Sequence, residues 1–487
     1  MASSRARAVL LCAALTFGLT AGAAVAGPAD PPDDACLDPG TSDPGCVPNA
    51  AIGHTARQVC DYQFAPGCDL TAFADPGYAV TEDPSPDGQY EWKVGAVHEH
   101  SGYSDGDPAS VPRDYFKAAA SGVNATDTGV RLDFLFSSEH TDNTQITATT
   151  NASCLSSPQQ ALLCGHFTDS SFYWKWPATL KQAVESSTEA FTAVRGFEWT
   201  NDFYNHMNVY FSTNFRNVKI DGSYLSMDRM WEWLQRPVAE GGGADGLVTF
   251  NHPGSNPKLS PFDGGLPHSE LLARTGASNW NEVEYVPAVA DRVVGMEING
   301  GEDIEWFIRA LTNGWRIGPV AAEDHHETSW ASRDDHKTLV LTKGGSSQDY
   351  YWALAKRRTV AIHAELVDGE PGQAAVVPTI DFTADGGHVL GSVVADAGAT
   401  THGVRVVASG LPAGSRVALI SEDGGQAAPI QLGAVRPDGS IDAATAVPLD
   451  GDDWYFAVVC LPGPAPCGSN QDYSAVTAPI WFEREAG

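Results

Sequence analysis

Between residues 91 and 366, short apolar runs alternate with longer stretches of helical spacing. Seven runs read as buried strands: 92–97, 132–136, 191–197, 207–211, 247–250, 293–298 and 316–321. The segments 110–121, 176–186, 227–236 and 304–313 between them carry apolar residues at helical spacing, and 350–358 reads as a closing helix. Strands alternating with helices predict α/β architecture. From 371 to 487 the pattern changes. Short β-rich runs such as 403–408, 416–420 and 454–459 sit between Gly, Pro and Asp turns, and predict a β-sandwich that covers the first domain. Residues 27–90 are rich in Pro, Asp and Gly and read as a loop-rich lead-in without its own core. A chain of 487 residues is expected to hold more than one core.

The polar residues that end the apolar runs fall into a pattern. The first run closes on His98-Glu99-His100, in VGAVHEHSGYSDGD, with Asp105 five residues beyond His100. Alternate side chains of extended backbone share a side, so His98 and His100 converge while Glu99 faces away. LDFLFSSEH ends at Glu139 and His140, and FTAVRGFEWT reaches Glu198. NHMNVYF opens with His206, which precedes its strand and must reach inward from a loop. GLVTFNHPG carries His252, VVGMEING carries Glu297 and Asn299, and RIGPVAAEDHH carries Asp324, His325 and His326. Barrels of parallel strands build their active sites at these C-terminal strand ends. Any one of these histidines alone reads as structural. The set does not, because buried carboxylates are costly unless paired or metal-bound. Imidazole with carboxylate suits zinc, manganese or iron. His54, His166, His268, His336, His363, His388 and His402 fit no motif.

Charge narrows the partners. With 61 acidic against 29 basic residues the net charge is -32, the wrong sign for a nucleic-acid backbone or an anionic membrane. The acidic excess reads as a solvated surface, part of it available to hold cations. Arg5 and Arg7, the apolar run 8–21 and the small residues Ala24 and Ala26 read as a signal peptide cleaved near Ala26, giving a secreted protein with no stable membrane insertion. Eight cysteines then remain in four close pairs: Cys36 and Cys46, Cys60 and Cys68, Cys154 and Cys164, Cys460 and Cys467. In an exported chain they are expected as local disulfides; no CxxC spacing favours thiolate zinc. There is no G-x-S-x-G elbow and no P-loop, so neither a serine nucleophile of that type nor a nucleotide cradle is indicated.

HxHxxxSDG, a strand-end His, a Glu, an HxN, an HP and a final DxH, in this order over about 91–366, resemble the PHP (polymerase and histidinol phosphatase) superfamily. GFEWT, HMNVYF, FNHPG and MEING ahead of a β domain look most like its secreted, carbaryl-hydrolase-like branch. The resemblance implies a distorted (β/α)7 barrel with a C-terminal β-sandwich, and a site for two or three divalent ions. It implies that His98, His100, Glu198 and Asp324 hold one ion. Glu198 bridges to a second, completed by His206 and His252. Asp105, His140 and His326 hold a third, and Asp105 stands where some relatives use His. Glu139, Asp142, Glu297, Asn299 and His325 are left as supporting or substrate-contacting groups. The implied activity is hydrolysis of a small-molecule phosphate ester by metal-activated water, with no protein nucleophile. The alternatives are a carboxylic ester, amide or carbamate hydrolase, and a non-catalytic exported metal-binding protein. Arg195, Arg316 and Arg333 are the candidate phosphate contacts.

Overall fold

The computed structural model describes residues 89–484 apart from 108–109, 142–170, 202–203, 217, 221–222, 254–278, 397–399, 422–428, 450–452, 464 and 469–472. The signal segment, the lead-in, the six cysteines from Cys36 to Cys164, and Asp142 lie outside these residues.

The α/β expectation holds, and the protein is rich in sheet. The apolar runs form β1 (Glu91–Ala96), β2 (Phe134–Phe136), β3 (Glu139–His140), β4 (Thr192–Val194), β5 (Gly196–Asn201), β6 (Asn205–Tyr210), β7 (Leu247–Phe250), β8 (Val293–Glu297) and β9 (Gly318–Val320). Two further strands follow, β10 (Lys337–Thr342) and β11 (Thr359–Ile362). Neither was among the seven runs read from the sequence. The helices are α1 (Pro112–Ser121), α2 (Ser171–Ser186), α3 (Met227–Gln235), α4 (Gly301–Thr312) and α5 (Ser347–Ala355).

Among the described residues the ladder does not close into the expected sevenfold ring. β1, β2 and β4 pair in parallel within one sheet, and β3 with β5 and β7 with β8 and β9 in a second. The parallel succession is interrupted by antiparallel pairings of β5 with β6, β6 with β7, and β1 with β10. A short hairpin thus replaces the helical crossover that parallel strands require.

The chain passes between the sheets at Ser137–Ser138 and again at Arg195. Ser137 stitches the two passages together. Its Oγ donates to Gly196 O at 3.0 Å and accepts from Gly196 N at 2.9 Å. A Cβ on Gly196 would lie 2.6 Å from Ser137 O, 2.7 Å from Tyr210 Cδ1 and 2.7 Å from Val209 O. Two of these are backbone atoms and cannot step aside. Gly196→Ala is therefore expected to cost about 1–3 kcal/mol by overpacking, read as a lower melting temperature by circular dichroism.

Most of these strands are buried on both faces, which is why they read as unbroken apolar runs. Tyr115 and Phe116 of α1 pack with Val94 and Leu135, while Trp233 of α3 and Phe307 of α4 pack with Val248, Phe250 and Met296. Pro112 and Asp114, whose carboxylate accepts from Val111 N, start α1. Gly122 ends it at φ +69°.

Beyond 371 the regular elements among the described residues are all β, with one four-stranded sheet built from Thr379–Ala384, His388–Val389, Thr401–Ser409 and Ile441–Pro448. The other strands do not form a sheet apart. Ala475–Thr477 pairs antiparallel with β11, so this layer continues the large sheet that holds β1, β2 and β4. Phe307 also meets Phe456 edge-on, ring centroids 5.5 Å apart. Cys460 and Cys467 form a disulfide, as their spacing suggested. No helix among the described residues is long and apolar enough to cross a membrane.

Candidate metal centre

Val97 to His100 continue β1 as extended chain, laced on both sides. Glu99 N donates to Ser138 Oγ at 2.7 Å, and His100 N donates to His325 O at 2.9 Å. This backbone sends His98 and His100 to one side, their ring centroids 5.0 Å apart. Glu99 goes to the other, where burial and then Asp335 push its carboxyl well above the usual carboxylate range.

The remaining strand ends converge on the same point. The parallel register of β3 and β5 sets His140 beside Glu198. His206 lies within β6, not on a loop: it stands opposite Thr200, on the face that Glu198 shares two residues away. Glu198, with no exposed surface, is the hub. Its Oε1 is 3.0 Å from His206 Nδ1 and 3.3 Å from both His98 Nε2 and His252 Nε2; its Oε2 is 2.5 Å from His140 Nδ1. Asp324 Oδ1 lies 2.9 Å from His100 Nε2 and 3.3 Å from His98 Nε2. Asp105 Oδ1 lies 2.9 Å from His326 Nε2 and 3.2 Å from His140 Nε2. All nine sequence-expected ligands therefore meet in one cluster.

The donor set fits divalent ions. His98 Nε2, His100 Nε2 and Asp324 Oδ1 are buried and make no well-aligned hydrogen bond despite their proximity. Ligands held about 2.0–2.2 Å from a shared ion in a tetrahedral shell lie roughly 3.3–3.6 Å apart, close to several of the separations above. Three sets of donors lie near enough to share an ion: His98, His100 and Asp324; His140, Glu198 and His206; and His100, Asp105, His140 and His326. His140 and His100 each belong to two sets, which the linear motif does not show.

Burial and charge oppose each other here. Burial raises the Glu198 carboxyl, but His140, His206 and His98 outweigh it and hold it well below the ordinary range. Asp105 is held down similarly against burial, by His140 and His326, and Asp324 by His98 and His100. His100 is pushed down to about 3 by burial, with His326 and His140 adding to the effect. His98 goes the other way: burial lowers it, but the carboxylates of Glu297, Asp324 and Glu198 raise it well above an ordinary imidazole.

Supporting residues fix the rings. Glu297 Oε1 is 2.6 Å from His98 Nδ1, and its Oε2 accepts from His252 N at 2.8 Å, so it braces two of the clustered histidines from behind. His326 Nδ1 lies 2.7 Å from Asp324 O. Thr200 Oγ1 sits 2.7 Å from His140 Nδ1, and Asn251 Nδ2 donates to Glu198 Oε1 at 3.0 Å. Sequence reasoning assigned neither residue a role. The available signal was adjacency, since Asn251 precedes His252 and Thr200 follows Glu198 by two. His252 and Asp324 hold φ of +33° and +51°. Non-glycine residues enter this region at a cost of about 1–3 kcal/mol, and do so mainly where the surroundings over-determine them.

Other expectations fall away from the cluster. Asn299 caps structure instead: its N donates to Asp303 Oδ2 and its Oδ1 accepts from Ala322 N. It lines a cavity of about 470 Å³ with Arg416 and Cys460, and none of the nine clustered residues lines that cavity. His325 turns to Ser329. Glu139 faces Ser101, Ser104 and Tyr115. Arg195 is buried, its guanidinium 3.7 Å from the Trp176 ring centroid and its Nη2 donating to Ser212 O and Thr213 O. Arg316 pairs with Glu483, and Arg333 donates to Gly369 O. None of the three arginines reaches the cluster. Trp176 is core beside Phe197 and Phe215.

No family model matches this chain, and no curated protein matches it. Among solved structures, it resembles a two-domain protein containing a predicted PHP-like metal-dependent phosphoesterase from Bacteroides vulgatus ATCC 8482. Identity is 16%, over 82% of this chain and 98% of that one, with a TM-score of 0.39. It also resembles PsfC from Pseudomonas syringae PB-5123 at 13% identity, over 54% of this chain and 88% of that one, with a TM-score of 0.28. At these identities and scores the likeness is remote and assigns no activity.

Proposed function

We propose that the protein is a metal-dependent hydrolase of phosphate esters, of the PHP type in its ligand set, exported after removal of its first 26 residues. One observation carries the reading. Buried imidazole and carboxylate atoms, His98 Nε2, His100 Nε2 and Asp324 Oδ1 among them, face one another from separate strand ends without a well-aligned hydrogen bond. Buried polar atoms in that state are costly, and a divalent ion relieves them.

Ions held there would supply Lewis acidity and a hydroxide nucleophile near neutral pH. His98, His100 and Asp324 would hold one, Glu198 with His206 and His252 a second, and Asp105, His140 and His326 a third. The chain's own part is placement. Glu297 and Thr200 orient imidazoles, Glu198 ties the inner positions together, and the buried walls exclude bulk water. The side chains of Asp105, Asp324 and His326 are 37%, 30% and 30% exposed, against 0% for His98, His100 and Glu198. Substrate therefore approaches over the Asp105–His326 side.

Charge favours an anionic substrate only when all three positions are filled. Asp105, Glu198, Glu297 and Asp324 bring four negative charges, which two divalent ions only cancel. A third leaves the centre at about +2, enough to draw a phosphate ester without an arginine. The absence of Arg195, Arg316 and Arg333 from the cluster favours the second reading, a carboxylic ester, amide or carbamate substrate, if only two ions bind.

Elemental analysis of the purified protein, with turnover of p-nitrophenyl phosphate, bis-p-nitrophenyl phosphate and p-nitrophenyl acetate, tests this. The expected result is two or three transition-metal ions per chain with phosphate-ester turnover. Metal with acetate turnover alone would move the assignment to the second reading. Metal with no turnover of any ester would leave a metal-binding protein. No metal, and no activity after zinc or manganese is added, would overturn the proposal.

A further inference from the structure

His100 stands between two of the donor sets, and its two ring nitrogens face different ones. Nε2 looks to Asp324 Oδ1 at 2.9 Å and Glu198 Oε2 at 3.8 Å, while Nδ1 is 4.0 Å from Asp105 Oδ1. A neutral imidazole offers one lone pair at a time. Whichever nitrogen carries the proton decides which ion His100 serves.

Ser104 lies at that decision point. Its Oγ is 3.3 Å from His100 Nδ1 and donates to Glu139 Oε2 at 2.6 Å. A hydroxyl has one proton. With that proton committed to Glu139, only a lone pair of Ser104 remains to face Nδ1, so Nδ1 must carry the hydrogen and Nε2 is left free to ligate. Glu139 enforces the direction. It is 5% exposed and also accepts from Ser101 N at 3.2 Å, Ser101 Oγ at 2.5 Å and Tyr115 OH at 3.2 Å. Its bonds to Ser101 and Ser104 lie within a single turn, which Gly106 N closes by donating to Ser101 O at 3.0 Å. That turn must be tight: a Cβ on Gly106 would lie 2.8 Å from Ser101 N and Cα.

We infer that Ser104, anchored by Glu139, is a positioning residue that fixes the tautomer of His100 and thereby commits it to the inner ion, with His98 and Asp324. The outer position is then left to Asp105, His140 and His326. This inference rests on the metal reading above.

The test is calorimetric titration of the metal-free, full-length mature chain with Zn²⁺ against a competing chelator. The inner set is the most buried, so it should give the tightest step. Ser104→Ala is expected to weaken that step by about 10- to 100-fold, the range seen when a residue orienting a ligand is lost, and to leave the weaker steps in place. Glu139→Gln should do less, because the amide can turn its oxygen toward Ser104 and preserve the relay. A purely structural turn would show the reverse order, since Glu139 makes several bonds and Ser104 far fewer. The inference is overturned if Ser104→Ala binds like wild type, if it weakens all steps equally, or if Glu139→Gln is the more damaging variant. Should Glu139→Gln fail to fold by circular dichroism, the Ser104→Ala isotherm alone decides. A wild-type chain that binds no Zn²⁺ removes the metal reading itself, and this inference with it.

Discussion

Glu198→Gln is expected to reduce kcat/KM for a phosphate ester by about 10³-fold or more at saturating metal. The carboxylate places both its oxygens among His98, His140, His206 and His252, at 2.5–3.3 Å, and has no exposed surface. Glutamine keeps the volume but turns one oxygen into an amide donor. That donor faces imidazole nitrogens and cannot ligate, so the link that Glu198 would make between bound ions is lost. Polarisation of a substrate oxygen by a bound ion is worth several kcal/mol, and each 1.36 kcal/mol is about a factor of ten in rate. A loss of roughly 4 kcal/mol therefore gives the stated decrease. Steady-state kinetics on bis-p-nitrophenyl phosphate, with metal content measured in parallel, would check it. Wild-type turnover in this variant would place the chemistry elsewhere on the chain.

Removing the metal should lower thermal stability as well as activity. A ligand that binds only the folded chain stabilises it by about 4 kcal/mol when its free concentration is 1,000 times its dissociation constant. The unfolded chain has no preformed cluster, because the ligands come from strand ends between residues 98 and 326. Adding EDTA to the metal-loaded protein is expected to lower Tm by several degrees, and Zn²⁺ or Mn²⁺ in excess of EDTA should restore it. The metal-free cluster has its own supports, since His140, His206 and His98 hold the Glu198 carboxylate ionised. The fold should therefore loosen around the site without collapsing. Differential scanning calorimetry reads the shift directly, and an unchanged Tm after chelation would argue against a metal shared among these strands.

The site was more legible in the sequence than the sheet that carries it. Strand periodicity is local, so the divergence of His98 and His100 from Glu99 followed from three consecutive residues. The apolar runs announced where chain would be buried, and their polar ends marked the cluster. His206 was harder to place. Its neighbour in space is Thr200, across a hairpin, and the residues between give no periodic signal of the turn. The β-rich character of the chain beyond 371 was read from its turn-rich pattern. That pattern carries no trace of the pairing between Ala475–Thr477 and Thr359–Ile362, which makes its strands an extension of the first sheet.

The sequence by itself determined the chemistry on offer: imidazoles and carboxylates at the ends of buried runs, a surplus of negative charge, and no nucleophile motif. Residue type and alternation are written into neighbouring positions, so these could be read in order. Only the tertiary structure decided how that chemistry is divided. It set Glu198 as the hub, drew Glu297 behind His98, withdrew Arg195, Arg316 and Arg333 to other tasks, and put Ser104, held by Glu139, beside Nδ1 of His100. Most of those facts are contacts between residues far apart along the chain, which meet only once the strands are assembled; even Ser104 and His100, four residues apart, face each other only because the turn between them is held from Glu139.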